Sequence, residues 1–195
     1  MKLFLTSTVF LNTDVTKKVF SKINKNIKDC KVLFIPNEKA TYEKLDSNKY
    51  INRVINWGFS KENIYVFDER YIDKYKNLDI DILTISGGNT FATLKKIRDC
   101  KFDKVIIDYV KNGVIYIGGS CGSHIVTKNI KHVEKYDDNY VDLKDYSALD
   151  LFDGLLICHY NKQRKKDYEE IKEENVVKLS DEEVLYINEK DVLIY

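Results

Sequence analysis

In 195 residues the chain has one proline, one tryptophan, three histidines and four cysteines. A single proline, with no low-complexity segment and no internal repeat, leaves nothing that reads as a linker, so one domain over residues 1–195 is expected. Cys30, Cys100, Cys121 and Cys158 form no Cys-x-x-Cys pair, which argues against a zinc site or a disulfide framework and for free thiols in a reducing compartment. No apolar run approaches the roughly 20 residues that cross a bilayer. The opening Met1-Lys2-Leu3-Phe4-Leu5-Thr6 turns polar too soon for a secretory leader and reads as a strand, so a cytoplasmic protein is expected. Neither sign of charge dominates: 32 Lys and Arg face 31 Asp and Glu, for a net charge of +1. That balance gives no electrostatic reason to expect a nucleic-acid or membrane partner. The densest basic run, Lys162-Gln163-Arg164-Lys165-Lys166, is followed by Asp167, Glu169 and Glu170, as on a solvated helix face.

What is present is an alternation of short β-type runs with stretches of helical period, the pattern of an α/β domain with a mainly parallel sheet. Strands are expected at residues 2–6, 31–35, 63–67, 81–85, 114–117 and 155–158. Unbroken apolar runs such as Val32-Leu33-Phe34-Ile35 suit strands covered on both faces. Ile51, Val54 and Ile55 share one helical face, and Phe102, Val105, Ile106 and Tyr109 another; both read as packing stripes. Three short runs at 176–179, 184–187 and 192–194, separated by charged turns, predict a C-terminal antiparallel β-meander. The stretch from Ile130 to Asp150 is the least regular.

Two strand ends carry the chemistry. Val114 to Ile117 runs into Gly118-Gly119-Ser120-Cys121-Gly122-Ser123, a Gly-x-Ser-x-Gly pattern of the kind that lifts a nucleophile clear of a strained strand-to-helix turn. Ser120 is the candidate nucleophile. A serine hydroxyl needs a base, and three histidines are available. His124 is tied to the helix that Ser120 launches, and His132 sits in a polar connection. His159 follows the strand Leu155 to Cys158, at the strand end where open parallel sheets gather their sites, and is the candidate base. The second strand end is Thr84-Ile85-Ser86-Gly87-Gly88-Asn89-Thr90-Phe91, where Asn89 caps a helix burying Phe91 and Leu94. Outward amides in that turn suit one half of an oxyanion hole, with the amide of Cys121 as the other half. The Cys121 thiol is a rival nucleophile, but an elbow centred there would need glycine at 123, where the chain has Ser123.

Ser86-Gly87-Gly88-Asn89-Thr90-Phe91, Gly118-Gly119-Ser120-Cys121-Gly122-Ser123, and Leu149-Asp150-Leu151-Phe152 leading to His159-Tyr160 stand in the order and approximate spacing of the peptidase E family, which the chain resembles along nearly its whole length. That family of serine peptidases, in the class I glutamine amidotransferase-like superfamily, implies a flavodoxin-like three-layer sandwich. The resemblance implies Ser120 as nucleophile, His159 as base and the amides of Gly88 and Cys121 as the oxyanion hole, with no cofactor and no metal. Counting back from the Leu-Asp-Leu-Phe block puts Asp137 where aspartyl dipeptidases carry their acid, with Asp138 and Glu134 as neighbours competing for that role. Asn89 and Arg164, the only arginine after His159, are the implied substrate contacts. Members commonly read Ser-Ala-Gly at the elbow and Pro before the histidine, where this chain has Cys121 and Cys158. The expected function is hydrolysis of short peptides, Asp-X dipeptides among them, by a monomer or homodimer. The alternatives are a family member that has lost the chemistry and binds without cleaving, and a glutaminase-like enzyme using Cys121.

Overall fold

The computed structural model describes every residue except 164, 170, 172–174 and 190. Its core is a seven-stranded sheet in the order β3-β2-β4-β5-β1-β8-β9. The strands are β1 (Lys2–Thr6), β2 (Val32–Ile35), β3 (Ile64–Val66), β4 (Ile82–Ile85), β5 (Ile115–Gly119), β8 (Val184–Ile187) and β9 (Val192–Ile194). The first five run parallel, and β8 adds antiparallel to β1 and then to β9. Two further strands, β6 (Leu155–Ile157) and β7 (Val176–Lys178), pair parallel to each other in a separate ribbon. The strand expected at 155–158 therefore stands outside the main sheet. The expected meander is likewise a β8–β9 hairpin alone, because the 176–178 run takes β6 as its partner. The main sheet is parallel in its body and antiparallel at its C-terminal strands, as the sequence predicts.

Side chains alternate across a strand with period two, and here the two faces feed two apolar layers. Leu3, Leu5, Leu33, Ile35, Leu83, Ile85 and Tyr116 point to one side, while Phe4, Val32, Phe34, Ile82 and Ile117 point to the other. Helices α4 (Thr90–Asp99) and α5 (Asp103–Lys111) cover the first face with Phe91, Leu94, Ile97, Ile106 and Val110. Helices α1 (Thr13–Phe20) and α3 (Lys49–Asn56) cover the second with Val15, Val19, Tyr50 and Val54. Such fully buried side chains contribute about 1.5–3 kcal/mol each relative to exposure. The shorter helices α2 (Tyr42–Asp46), α6 (Cys121–His124) and α7 (Lys165–Tyr168) complete the set. Among the described residues no helix is long and apolar enough to cross a membrane.

Parallel strands in register bring their C-terminal ends to one edge. Thr6 pairs with Gly119 and Ile85 with Gly118, so the segments leaving β1, β4 and β5 emerge side by side.

Candidate active site

At the end of β5 the chain turns into α6 through Ser120, whose φ of 50° and ψ of −108° lie where L-residues are strained. Fixed hydrogen bonds hold the turn. Ser120 N donates to Thr6 O at 2.8 Å, and Ser120 O accepts from Ser123 N at 2.8 Å and His124 N at 3.0 Å. Only glycine fits at 122, because a Cβ there would press into the Ile85 carbonyl. The Gly-x-Ser-x-Gly pattern is thus a packing requirement as well as a conformational one, Gly122 lying against β4 and Gly118 against the Gly122 carbonyl.

His159 follows β6 with a φ of 55°. Ser7, the residue after β1, fixes it: Ser7 Oγ accepts from His159 N at 2.9 Å and donates to Leu179 O at 3.1 Å. The imidazole then lies with Nε2 3.0 Å from Ser120 Oγ and Nδ1 2.5 Å from Asp181 Oδ1. The Asp181 backbone is anchored to the start of the chain, its carbonyl accepting from Thr8 Oγ1 at 2.6 Å and Asn12 Nδ2 at 3.2 Å. Serine hydroxyl, imidazole and carboxylate form one hydrogen-bonded line at the edge of the sheet.

The carboxylate against the imidazole is therefore that of Asp181, and Asp137, the expected acid, lies elsewhere. Asp137 Oδ2 accepts from Thr90 N at 2.7 Å, Glu38 Oε2 accepts from Asn89 N at 3.1 Å, and Asn89 Oδ1 accepts from Ala92 N at 2.9 Å. These acceptors satisfy the free amides opening α4, where negative charge is favoured, so Asp137 serves the helix and not the histidine. The two neighbours are engaged elsewhere. The Asp138 carbonyl accepts from Asn89 Nδ2 at 2.8 Å, and the Glu134 carboxylate accepts from Tyr146 Oη. Asn89, expected at the substrate, thus has its side chain committed to the cap and to Asp138. Arg164 lies outside the described residues.

Gly88 and Cys121 carry the expected pair of amides, and neither N–H donates a hydrogen bond among the described residues. The Gly88 turn is held tightly, since a Cβ there would fall 2.6 Å from Asn37 Cβ. The Cys121 side chain is fully buried, with Sγ facing the Asn89 carbonyl at 3.7 Å, and burial pushes its thiol up to about 12. A thiol held neutral and out of solvent is a poor nucleophile, against the glutaminase-like reading. His124 is also buried, its Nε2 3.0 Å from Tyr136 Oη, and His132 Nε2 lies 2.8 Å from Leu156 O, so neither faces Ser120. Among the described residues no His, Cys, Asp and Glu cluster could hold a metal.

A strained elbow at the C-terminal edge of a doubly covered, mainly parallel sheet, with an imidazole on its hydroxyl, is the framework of a hydrolase. Comparison with known proteins agrees. Residues 3–195 match the model of Peptidase family S51, and the chain belongs to that family of serine-type peptidases. An uncharacterized peptidase of Listeria monocytogenes, Lmo0363, is 28% identical over 98% of this chain and 96% of its own length. Peptidase E of Salmonella paratyphi A is 35% identical over a shorter stretch, 41% of this chain and 34% of that protein. Among solved structures, a Listeria monocytogenes EGD-e protein named for peptidase E superposes with a TM-score of 0.78 at 26% identity, covering 100% of this chain and 97% of that one. A peptidase from an acI-B1 Actinobacterium, at 14% identity and a TM-score of 0.66 over 96% and 83% of the chains, shares the fold.

Two parts of the site escape a sequence reading. Asp181 sits in what reads as a charged turn, and Ser7 in an unremarkable strand exit. The signal that could have found Asp181 is the pairing of β8 with β1, which brings the turn before β8 to the edge where Ser120 stands.

Proposed function

We propose that this peptidase hydrolyses short peptides through a Ser120–His159–Asp181 triad and an acyl-enzyme. The observation that carries the proposal is the continuous line from Ser120 Oγ through both imidazole nitrogens to Asp181 Oδ1, with contacts of 3.0 and 2.5 Å. Ser120 Oγ attacks the scissile carbonyl while its proton passes to His159 Nε2. Asp181, accepting from Nδ1–H, selects the tautomer that leaves Nε2 free to receive that proton and stabilises the imidazolium that results. The N–H groups of Gly88 and Cys121 donate to the oxyanion of the tetrahedral intermediate, a contribution of about 2.7–4 kcal/mol for a single donor in such sites. The intermediate collapses by breaking the C–N bond, and the proton on Nε2 goes to the leaving amine. A water molecule, deprotonated by the same nitrogen, then releases the acyl group and restores Ser120.

A panel of dipeptides with varied first and second residues, Asp-X included, tests this reading by the release of free amine. Cleavage of at least one member by the parent protein, lost in Ser120→Ala and His159→Ala, is the expected result. Equal cleavage by Ser120→Ala would overturn the mechanism.

A further inference from the structure

Ser120 and His159 line a cavity of about 470 Å³, and part of the rest of its lining is built from residues that the mechanism leaves unused. Trp57 and Phe10 stack there with ring centroids 4.0 Å apart and planes 10° from parallel. Trp57 is braced from below by the edge of Phe34, at 5.0 Å and 84°. Phe10 is held at a φ of 67°, with its N–H donating to Thr16 Oγ1 at 2.9 Å, a strained conformation that presents the ring to the cavity wall. Leu11, 87% exposed, stands at the mouth. Arg53 precedes Trp57 by four residues on α3, so guanidinium and indole lie on one helix face a turn apart.

The charge pattern of the lining is one-sided. Among the described residues no Asp or Glu lines the cavity, and Arg53 is the one permanently charged side chain that does. Its guanidinium rests over the Tyr50 ring at 5.3 Å, and among the described residues it forms no ion pair. A flat apolar wall beside an unpaired guanidinium suits a ligand that offers an apolar side chain and a carboxylate from one carbon atom. The C-terminal residue of a short peptide has that form when its side chain is aliphatic or aromatic. An aspartyl side chain does not, since its carboxylate leaves almost no apolar surface to cover the wall.

We infer that Arg53, Trp57 and Phe10 form the leaving-group subsite, in which Arg53 holds the free C-terminal carboxylate of a short peptide and the Trp57–Phe10 stack receives its apolar C-terminal side chain. The inference rests on the peptidase reading for its catalytic sense, but the binding it describes can be measured without catalysis. Guanidinium and carboxylate match as a two-point contact, which a terminal amide cannot reproduce.

Trp57 is the chain's only tryptophan, so its fluorescence reports occupancy of this cavity directly. The experiment titrates Ser120→Ala protein with Ala-Leu and with Ala-Leu-amide, neither of which absorbs where tryptophan does, and repeats it on Arg53→Gln and Arg53→Lys backgrounds. Saturable change with Ala-Leu is expected, with the amide at least about tenfold weaker. Arg53→Gln should lose about tenfold for Ala-Leu only, and Arg53→Lys part of that, as a point charge replaces the fork. In the Ser120 parent, Arg53→Gln should raise KM for free peptides and leave kcat nearly unchanged, as loss of uniform binding does. Equal binding of acid and amide, or no effect of Arg53→Gln, would overturn the subsite. So would absence of any signal up to about 10 mM, tenfold above the usual upper end of KM values. Selective binding with no hydrolysis by the parent protein would leave the subsite standing and count against the proposed function alone.

Discussion

Asp181 Oδ1 lies 2.5 Å from His159 Nδ1, joining residues that leave the two paired strands of one ribbon: His159 just after β6, and Asp181 after β7, in the turn that leads into β8. In the proposed mechanism this contact, and not one from Asp137, orients the base. It yields a paired prediction. Asp181→Asn should lower kcat by about 10²–10⁴-fold, because the imidazole loses the acceptor that fixes its tautomer. Asp137→Asn should leave kcat within a few-fold and lower stability by about 0.5–2 kcal/mol, the cost of a weakened helix cap. Steady-state kinetics and thermal melts of the two variants separate the roles.

The Cys121 thiol is buried and pushed up to about 12, so it stays protonated at any pH where the protein would be assayed. Activity should therefore survive iodoacetamide at pH 8 while the fold is intact. Cys121→Ala, which keeps the backbone amide, should retain kcat within about tenfold and cost on the order of 1 kcal/mol for the small void it leaves. Inactivation that tracks alkylation of Cys121 in the native protein would contradict this.

Gly122→Ala tests the elbow as a packing device. A methyl at 122 must displace the Ile85 carbonyl at the end of β4, which also carries the Gly88 turn. A loss of about 1–3 kcal/mol from overpacking is expected, together with a fall in kcat as both halves of the proposed oxyanion hole shift. Chemical denaturation and kinetics on the same variant would show both effects.

Away from the site, Asp68 is nearly buried and receives Arg70 Nε at 3.0 Å and Nη2 at 2.6 Å, while Arg70 Nη2 also reaches Asp46 Oδ1 at 2.5 Å. Hydrogen bonds from Arg70 hold the Asp68 carboxyl below its ordinary value of 3.8. Because the folded value is depressed, the stabilisation is fully present above pH 4 and disappears as pH falls from there through the folded value. Asp68→Asn should lower stability at pH 7 by about 1–3 kcal/mol and flatten the acid limb of the stability curve. Urea titrations at pH 7 and pH 3 measure both.

The parts of this molecule legible in the sequence are those fixed by local pattern. Apolar runs such as Val32-Leu33-Phe34-Ile35 mark the strands because burial on both faces leaves no room for polar alternation, and Ser120 stands out because close packing imposes its flanking glycines, Gly122 against the Ile85 carbonyl of β4 and Gly118 against the Gly122 carbonyl. His159 is found from its place after a strand, even though β6 lies in a ribbon apart from the main sheet. What was hidden depends on pairings between distant segments. Asp181 looks like any turn carboxylate until β7 pairs with β6 and β8 with β1, and nothing local to Asp137 tells that its carboxylate accepts from the Thr90 amide. Nothing local singles out Arg53 on α3 or Trp57 at its C-cap. Only the packing of Phe10 against Trp57 turns that helix face into a cavity wall.

The most direct test of the central claim is intact-protein mass after reaction with a fluorophosphonate, which bonds to an activated serine oxygen, on the parent chain and on Ser120→Ala, His159→Ala, Asp181→Asn and Cys121→Ala. A single adduct on the parent and on Cys121→Ala, absent without Ser120, absent or strongly slowed without His159, and slowed without the Asp181 carboxylate, is the predicted pattern. An unlabelled parent, or an adduct that persists in Ser120→Ala, would contradict it.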